Sequence, residues 1–487
     1  MESAGPSAKK MKLAPPNIHE AAPAPSEATG VKPPTSEIRS QEQPPEAEED
    51  GGEELPDRLS DLPDGVLGEI ISLLPTKDAA RTQALASRWR HLWRAAPLNL
   101  DYRGLPKDEE GVLPGVILSA HEGPVHRLCL PVTLLRYGAD VVEGWLRYPA
   151  LDNLQELEFY LPRRVYSVPM PHVVLSATSS IFRFSSTLRV ATISKCHLSD
   201  DTVETLRFPQ LRKLAILDVK ISEVSLHRII ATGCPGLECL LLRTISGAFR
   251  LRINSPTLRS IGVRSFIREL IIEDAPSLKR LLHLQMYMEM QISVISAPKL
   301  ETLGSITDWC SNNSRLVFGS TVIQELRIDN LTTVVGTVKV LAIHMLNFNL
   351  DMLIGLMRCF PCLEKLYMKR SRSGAKNLWR RKHLNYLRCH EIRLKTIVMG
   401  YYRGIRAQVN FASFFVLNAR MLESIRLEVT PDNYNEAFFA EQHRMLQMEK
   451  RASSGVRLCF TSVCRHNVED IVEISDLDLT DPFACGC

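Results

Sequence analysis

The sequence predicts an α/β solenoid that follows a short bundle of three helices and ends in a small α+β module. Three observations lead to this prediction. An aliphatic pattern recurs through the middle of the chain, a run with helical periodicity precedes it, and mixed helical and strand patterns follow it. The chain has 487 residues, of which 45% are hydrophobic, so it can bury more than one core.

The charge balance and the hydropathy pattern argue against two classes of partner. The chain has 59 basic and 55 acidic side chains, an excess too small and too dispersed to predict nucleic-acid binding. No run of about eighteen apolar residues predicts a membrane span. The first residues also lack the apolar core of a signal peptide. We therefore expect the 12 cysteines to be reduced thiols in the nucleus or the cytoplasm.

Residues 1–55 are predicted to form a disordered tail. They are rich in Pro, Ala, Glu and Ser and have few large apolar side chains, so burial cannot offset the entropy lost on folding. Lys9, Lys10 and Lys12 have two interpretations, a short nuclear-import patch or a solvated charge cluster.

Residues 56–100 are predicted to form three short helices. Ser60 or Asp61 can cap the first helix, Pro75 ends it, and Thr76 can cap the second. The apolar positions of the three helices are Val66, Leu67, Ile70, Leu73, Leu74, Ala79, Ala80, Leu85, Trp89, Leu92 and Trp93. Because so small a bundle cannot hide all of these groups, we expect a partner or the next domain to cover some of them.

The same segment closely resembles a plant F-box. The residues that carry the resemblance are Leu59–Leu67, Ile70, Leu73, Leu74, Arg81, Thr82 and Arg88–Trp93. The resemblance implies that these helices dock onto a Skp adaptor, which bridges to a cullin scaffold. It assigns the docking surface to Leu62, Pro63, Val66, Leu67, Ile70, Leu73, Leu74, Leu85, Trp89, Leu92 and Trp93.

One position departs from the F-box pattern. Ala86 stands where the family usually has Ser, and the change could weaken a helix cap. An alternative interpretation of the whole segment is that its helices only cover the first repeat of the solenoid.

Residues 101–392 repeat one pattern, which is an aliphatic residue, another three positions on, and a third two positions beyond that. The clear copies begin at Leu154, Leu188, Leu211, Leu237, Leu258, Ile323, Val338 and Leu363, with one more at Leu394 and weaker copies at Leu278 and Leu300. Most copies lie about 20–30 residues apart, as in leucine-rich repeats. No unit can bury its leucine face alone, so we expect the units to stack into a curved leucine-rich-repeat horseshoe.

A solenoid of this kind presents a concave face to another macromolecule. The non-aliphatic positions of its strands are therefore candidate contacts with an unknown target protein, or alternatively solvated charges. The candidates in the repeats are Glu156, Arg189, Lys213, Arg259 and Arg327.

A basic cluster around Trp379 adds further candidates. Its charged residues are Lys369, Arg370, Arg372, Lys376, Arg380, Arg381, Lys382 and His383. The cluster has three interpretations, a bipartite nuclear-import signal, a site for phosphate or an acidic partner, or a solvated loop. We include Arg372, Trp379 and Arg380 among the candidate target contacts.

From Arg393 the chain resembles the FBD module of plant F-box proteins. The matching residues are Leu394–Ile397, Tyr402–Gly404, Phe411–Ala419, Leu422–Ile425, Gln442–Leu446 and Glu449–Ser453. We assign residues 393–465 to this module and residues 466–487 to a C-terminal tail. Phe411, Phe414 and Phe415 predict one face of a helix. The module either seals the end of the solenoid or touches the target.

No sequence motif indicates catalysis or a cofactor. The chain lacks a phosphate-binding glycine loop, a nucleophile elbow and a zinc-binding His-Glu-x-x-His helix. Cys359 and Cys362 have the spacing of half a metal site, but they fall at a repeat turn without a matching pair nearby. A second group could gather around zinc only if the tail folds back, namely Cys459, Cys464, His466, Cys485 and Cys487. We therefore expect no enzyme activity, cofactor or metal.

These patterns together predict a substrate-recognition adaptor of an SCF-type (Skp–cullin–F-box) ubiquitin ligase. Its F-box would hold the ligase, and its repeats would hold the target. The alternative is a leucine-rich-repeat scaffold or receptor that binds a protein or a small ligand without causing degradation. The sequence does not name the target.

Overall fold

In the computed structural model, a unit of helices and parallel strands begins at Asp61. The residues described are 59, 61–105, 113–137, 139–162, 173–175, 180–283, 290–308, 314–345, 348–369, 391–462, 473–479 and 481–483. The predicted tail of residues 1–55 lies outside the described residues, as do Arg372, Trp379 and Arg380 of the basic cluster.

The unit begins with a bundle of three helices, α1 (Asp64–Leu73), α2 (Thr76–Arg81) and α3 (Ser87–Ala95). The bundle has its own core, made of Leu67, Ile71, Ala79, Trp89, Leu92 and Ala96. The predicted caps differ from the observed ones. Helix α1 begins directly after Pro63 without a side-chain cap, and Arg88 holds its start by donating to the Leu62 carbonyl oxygen at 2.7 Å.

Thr76 joins the helical bundle to the sheet rather than capping a helix. Helix α2 begins at Thr76 and has Pro75 as its N-cap residue. The buried Thr76 hydroxyl donates to the carbonyl oxygen of Asn99 at 2.7 Å and accepts from the backbone N–H of Asp101 at 2.8 Å. Asn99 and Asp101 belong to the first strand, β1 (Leu98–Asp101), so the bundle and the solenoid share hydrogen bonds.

A second junction lies between the end of α3 and the loop before strand β2 (Val125–Pro131). The His121 ring packs edge-on against Trp93, and its Nε2 lies 2.9 Å from the Ala96 carbonyl oxygen. Because a carbonyl only accepts, Nε2 carries the proton. The backbone N–H of Gly123 donates to the Arg94 carbonyl oxygen at 2.9 Å. These bonds fix the bundle against the first repeat.

The solenoid is built on an open sheet of 14 strands, all paired in parallel and ordered along the chain. The strands after β1 and β2 are β3 (Glu156–Tyr160), β5 (Val190–Ser194), β7 (Lys213–Leu217), β9 (Cys239–Arg243), β11 (Ser260–Arg264), β13 (Arg280–His283), β15 (Thr302–Thr307), β19 (Val340–His344), β20 (Lys365–Lys369), β21 (Thr396–Tyr402), β22 (Ser424–Val429) and β23 (Arg457–Ser462). An open parallel sheet that bears helices on one face is an α/β solenoid, as predicted.

The repeated aliphatic pattern forms a continuous ladder across this sheet. One rung follows another through Leu157, Ala191, Leu214, Leu240, Ile261, Leu281, Leu303, Leu341, Leu366, Ile397, Ile425 and Leu458. The copies that begin at Leu154, Leu188, Leu211, Leu237, Leu258, Val338, Leu363 and Leu394 are therefore confirmed, together with the weaker ones at Leu278 and Leu300.

The copy predicted at Ile323 is wrong. Its residues lie in a hairpin between strands β17 (Thr321–Gln324) and β18 (Arg327–Asn330), which pair antiparallel in a different sheet. Glu325 and Leu326 form the two-residue turn, and both have positive φ, 49° and 63°. Positive φ at both central positions is the geometry of a type I′ hairpin turn.

The leucine face of the main sheet is covered by helices at the two ends and by a second sheet in the middle. The helices are α4 (Leu113–Ala120), α5 (Ala139–Leu146), α6 (Asp200–Thr205), α7 (Glu223–Arg228) and α8 (Leu350–Cys359). The second sheet has the order β10 (Arg250–Asn254), β12 (Glu269–Asp274), β14 (Gln291–Val294), β16 (Arg315–Phe318), β17 and β18. A third, short sheet holds β4 (Val173–Leu175), β6 (Cys196–Leu198) and β8 (Lys220–Ile221).

The C-terminal module continues the solenoid instead of forming a separate fold. Helix α9 (Arg406–Asn418) presents Phe411, Phe414 and Phe415 to the core, where all three are fully buried as predicted. Strands β22 and β23 then extend the main sheet beyond β21. Helix α10 (Glu436–Met445) places Gln442 against the Tyr402 hydroxyl, which donates to the Gln442 Oε1 at 2.8 Å.

The substitution Ala86→Ser is expected to stabilise helix α3. Ala86 is the N-cap residue of this helix, has extended φ and ψ, and offers no side-chain cap. A Ser hydroxyl at an N-cap accepts from a free backbone N–H of the first turn, which is worth about 1 kcal/mol. Amide hydrogen exchange in α3 should slow about fivefold. The exposed Ala84→Ser serves as the control and should leave this exchange unchanged, whereas equal exchange in both variants would contradict the assignment.

The substitution Gly123→Ala is expected to destabilise the junction. A Cβ at Gly123 would lie 2.5 Å from the Ala95 carbonyl oxygen and 2.6 Å from that of Ala96. Relieving such overlap costs about 1–3 kcal/mol, which should lower the thermal midpoint. Gly144→Ala is the matched control, because Gly144 lies in helix α5 with no atom within 4 Å of the new Cβ, so this variant should be as stable as the parent or more so.

Candidate functional site

Helix α1 carries two apolar stripes, and only one of them faces the bundle core. Leu67 and Ile71 are buried, one turn apart. Val66, Ile70 and Leu73 lie on the neighbouring stripe at i, i+4 and i+7. Val66 is 44% exposed and Leu73 is 82% exposed, while Ile70 is partly buried. An apolar stripe left open on a small helical bundle is typical of a protein-binding surface.

The predicted docking residues divide into a surface set and an interior set. Leu67, Trp89 and Leu92 are buried in the bundle core, so in this structure they support the docking face from beneath instead of touching a partner. The residues at or near the surface are Leu62, Pro63, Val66, Ile70, Leu73, Leu74, Leu85 and Trp93. Contact with a Skp adaptor remains a prediction for these residues.

A charge cluster occupies the concave face of the sheet at its N-terminal end. Arg127 donates to Glu158 at 2.8 Å and lies 3.4 Å from Glu156, one of the predicted target contacts. Arg103 also lies 3.5 Å from Glu158. Burial opposes the charged form of Arg127, but the neighbouring carboxylates raise its pKa above the usual value. Glu156 is thus part of an intrachain ion-pair cluster on the concave face.

Two other predicted contacts, Arg189 and Arg259, lie one residue before strands β5 and β11. Both are exposed there. Arg259 lies 3.5 Å from Glu238, and exposed ion pairs of this kind contribute little to stability. Arg327 is at the start of β18 in the second sheet, so the prediction that it shares the concave face is wrong.

The central strands of the main sheet carry apolar side chains on the concave face as well as on the leucine face. We call this set the apolar row, and it consists of Ala215, Leu241, Gly262, Leu282, Ala342, Tyr367 and Val398. The side chains two residues nearer the start of each strand form a neighbouring row on the same face. Three of them are cations, which we call the cation row, namely Lys213, Arg280 and Lys365. Lys213 is one of the predicted target contacts.

Residues 473–479 and 481–483, which we call the tail segment, lie across these two rows. The segment forms a 3₁₀ turn at Ile474–Asp478. Ile474, Leu477 and Phe483 pack into the same hydrophobic cluster as the apolar row and are at most 7% exposed. The contact is close, because a Cβ built on Gly262 would lie 2.9 Å from the Leu477 Cδ2. The tail segment therefore packs against the concave face of the main sheet.

The carboxylates of the tail segment pair with the cation row. Asp478 forms an ion pair with Lys213 and accepts from the Cys239 thiol at 3.0 Å. Asp481 accepts from Lys365 and from the Tyr367 hydroxyl, each at 2.8 Å. Burial is the largest influence on the Tyr367 pKa and raises it, and the Asp481 charge raises it further.

The tail segment also contacts the solenoid through two arginines. Arg280 donates to the carbonyl oxygen of Leu477 at 3.3 Å. Arg103 lies 3.4 Å from Glu473, which extends the tail contacts to the charge cluster at the N-terminal end of the sheet.

One feature of the sequence, besides the repeated aliphatic pattern, indicates a covered concave face. Strands β7, β9 and β19 read KLAIL, CLLLR and VLAIH, which are nearly continuous apolar runs. Continuous runs are typical of parallel strands covered on both faces, whereas a sheet open to water on one face alternates apolar with polar residues. These strands therefore required a covering element on the concave side.

Within the part of the chain that the structure describes, no three His, Cys, Asp or Glu side chains are grouped so as to hold a metal ion. No helix there is long and apolar enough to cross a bilayer. Of the cysteines and histidine proposed as a zinc group, only Cys459 is among the described residues.

Three family models match the chain in the order of the structural parts above. The F-box domain matches residues 59–101, the LRR repeats of the FBD-associated F-box protein At5g56370 match residues 142–368, and the FBD matches residues 384–427. The fold and these matches define the class, a leucine-rich-repeat protein with an N-terminal F-box.

Three relatives from Arabidopsis thaliana illustrate the similarity. F-box/FBD/LRR-repeat protein At5g56420 is 25% identical over 433 residues, 83% of this chain and 98% of that protein. F-box/FBD/LRR-repeat protein At1g13570 is 26% identical over 49% of this chain and 56% of its own length. Putative FBD-associated F-box protein At3g50710 is 25% identical over 46% of this chain and 54% of its own length. Two of these matches thus span about half of the relative. The chain belongs to the plant F-box/FBD/LRR-repeat family.

Releasing the tail segment is expected to make the Cys239 thiol reactive. Burial, followed by the hydrogen bond and the charge of Asp478, raises the pKa of Cys239 to about 12. Iodoacetamide attacks thiolates, so Cys239 should be labelled slowly at pH 8. The released-tail variant carries Leu477→Ser, Asp478→Ser and Asp481→Ser in the full chain. In this variant the labelling rate of Cys239, measured by peptide mass spectrometry, should rise at least about tenfold.

Cys234 provides the internal control for this labelling experiment. It is buried in the leucine-face core, and burial raises its pKa to about 12 as well. Cys234 should stay unlabelled in the parent and in the released-tail variant. Labelling of both cysteines would indicate global unfolding, and an unchanged Cys239 rate in a folded variant would contradict the tail contact.

Proposed function

We propose that this chain is a substrate-recognition subunit of an SCF-type ubiquitin ligase and is not itself catalytic. The observation that carries the proposal is the open apolar stripe of Val66, Ile70 and Leu73 on helix α1, within the segment that matches the F-box model. An F-box implies binding to a Skp-type adaptor, and through it to a cullin scaffold. The partner enzymes would supply the chemistry of ubiquitin transfer.

Burial of the open stripe provides the driving force for this docking. Fully burying a large apolar side chain is worth about 1.5–3 kcal/mol, and a few such anchors usually dominate a protein interface. Leu73 is the most exposed side chain of the stripe, at 82%, and Leu85, another of the predicted docking residues, is 66% exposed, so burial of these two would contribute most. Leu67 and Trp89 lie beneath this surface and fix the helices that present it.

The junction between the bundle and the solenoid supports an adaptor role. Thr76 bonds helix α2 to strand β1, and His121 and Gly123 bond the loop before β2 to the end of α3, so the two parts form a continuous structure. A target on the solenoid would then be held in a defined place relative to the docked Skp adaptor. Holding two reacting groups in place raises their effective concentration, which is the contribution an adaptor makes to transfer.

A docking variant tests the proposal without disturbing the bundle core. Val66→Asp and Leu73→Lys together place charges on the open stripe, and each sign suits its end of the helix dipole. Loss of one anchor costs about 2 kcal/mol, so affinity for a recombinant plant Skp adaptor should fall at least about thirtyfold. Isothermal titration calorimetry measures the affinity, and the thermal midpoint checks that the variant is folded.

The matched control places the same two charges elsewhere on the surface. Val224→Asp and Ile295→Lys alter side chains that are 65% and 70% exposed and lie outside the bundle. This variant should bind the adaptor like the parent. If neither parent nor control binds, the docking proposal is wrong, and the scaffold or receptor that acts without degradation becomes the leading interpretation.

A further inference from the structure

We propose that the concave groove formed by the apolar row and the cation row is the target-recognition site. It takes an acidic peptide with apolar anchors, and the tail segment occupies it as an intrachain competitor. The inference rests on the proposed function, because it assigns the target class of a recognition subunit. It goes beyond that function by naming the site, the chemistry of the ligand and the segment that must leave.

The first step of the argument is that the groove requires an apolar ligand. Leu241, Leu282 and Val398 face the concave side and are no more than 7% exposed with the tail segment in place. The side chains that cover this region are Ile474, Leu477 and Phe483, with the Phe483 ring 5.6 Å from that of Tyr367. Without a covering peptide, the groove would present a contiguous apolar surface to water.

The second step is charge complementarity. Lys213 and Lys365 lie in separate repeats, and each meets one carboxylate of the tail segment, Asp478 and Asp481 respectively. Arg280 lies between them in the sheet order, and its hydrogen bond to the tail segment goes to a backbone carbonyl oxygen, that of Leu477. A contact to a carbonyl is available to any peptide sequence, while the two lysines select for acids. The groove therefore recognises an acidic peptide as a class.

The third step is that the tail segment is held in the manner of an exchangeable ligand. It forms a 3₁₀ turn instead of a strand of the main sheet, and its named contacts with the groove involve solenoid side chains. The Lys213–Asp478 ion pair is partly solvated, since the two side chains are 34% and 42% exposed, whereas Asp481 is 11% exposed beside Lys365. A partly solvated pair is individually weak, so a second acidic peptide can replace the contact at Lys213.

The fourth step concerns competition. The tail segment begins at Glu473 and strand β23 ends at Ser462, so the competitor is tethered to the same chain. A short tether gives an effective concentration on the order of millimolar. A target peptide must therefore exceed the affinity of the tail segment before it occupies the groove. The tail segment itself indicates the expected motif, an aliphatic residue followed by Asp, and a second Asp two residues before an aromatic ring.

The test uses the full chain and a fluorescein-labelled synthetic peptide of residues 473–483, followed by fluorescence anisotropy. The released-tail variant should bind this peptide at least tenfold more tightly than the parent does, because its own competitor is weakened. Adding Lys213→Glu and Lys365→Glu to that variant should reduce the affinity at least tenfold. A peptide with both groove-facing aspartates replaced by lysine should bind with similarly reduced affinity.

A second measurement on the parent chain does not depend on the folding of any variant. Excess unlabelled peptide should accelerate amide hydrogen exchange in residues 473–483 of the protein, distinguished from the peptide by isotopic labelling. Unchanged exchange, or equally weak peptide binding to the parent and a folded released-tail variant, would overturn the proposal and identify the tail segment as a structural strap. Skp binding is measured separately, so a failure of the groove and a failure of the ligase assignment are distinguishable.

Discussion

The register of the aliphatic ladder is the constraint on which the rest of the structure depends. Each rung from Leu157 to Leu458 lies opposite the next in the parallel sheet, so every strand buries its leucine face against the same continuous core. A repeat cannot satisfy that face alone, and a slip of one residue would turn it toward the concave side. The ladder therefore fixes which side chains form the concave groove.

Most of this fold could be predicted from the sequence because the ladder is a local pattern. The pattern failed at Ile323, where spacing alone does not distinguish a parallel repeat strand from an antiparallel hairpin. The turn residues Glu325 and Leu326 did not indicate a hairpin, because type I′ turns favour Asn and Gly at positive φ. The sequence analysis also did not assign β22 and β23 to the repeats, although Leu422, Ile425 and Leu427 follow the same pattern.

The candidate site was less predictable, for two physical reasons. Helical periodicity identified the apolar positions of α1. It could not decide that Leu67 faces the core and Val66 faces solvent, because that depends on where α3 packs. The groove depends on contacts that are distant in sequence, such as the hydrogen bond from Cys239 to Asp478, 239 residues apart. Periodicity carries no information on such pairs. The continuous apolar runs of the central strands showed only that some cover was needed.

The apolar stripe on α1 and the concave groove differ in how they are protected from water. The stripe on α1 stays open in this structure, whereas the larger apolar area on the concave face is covered by the chain itself. An uncovered apolar groove would bind many partners weakly and promote aggregation. An intrachain competitor raises the affinity that every ligand needs by the same factor. Peptides that bind only through weak apolar contacts are therefore excluded. A ligand that also pairs with Lys213, Arg280 and Lys365 can still displace the tail segment. The acidic tail segment thus combines protection of the groove with selectivity for the charge pattern that it occupies.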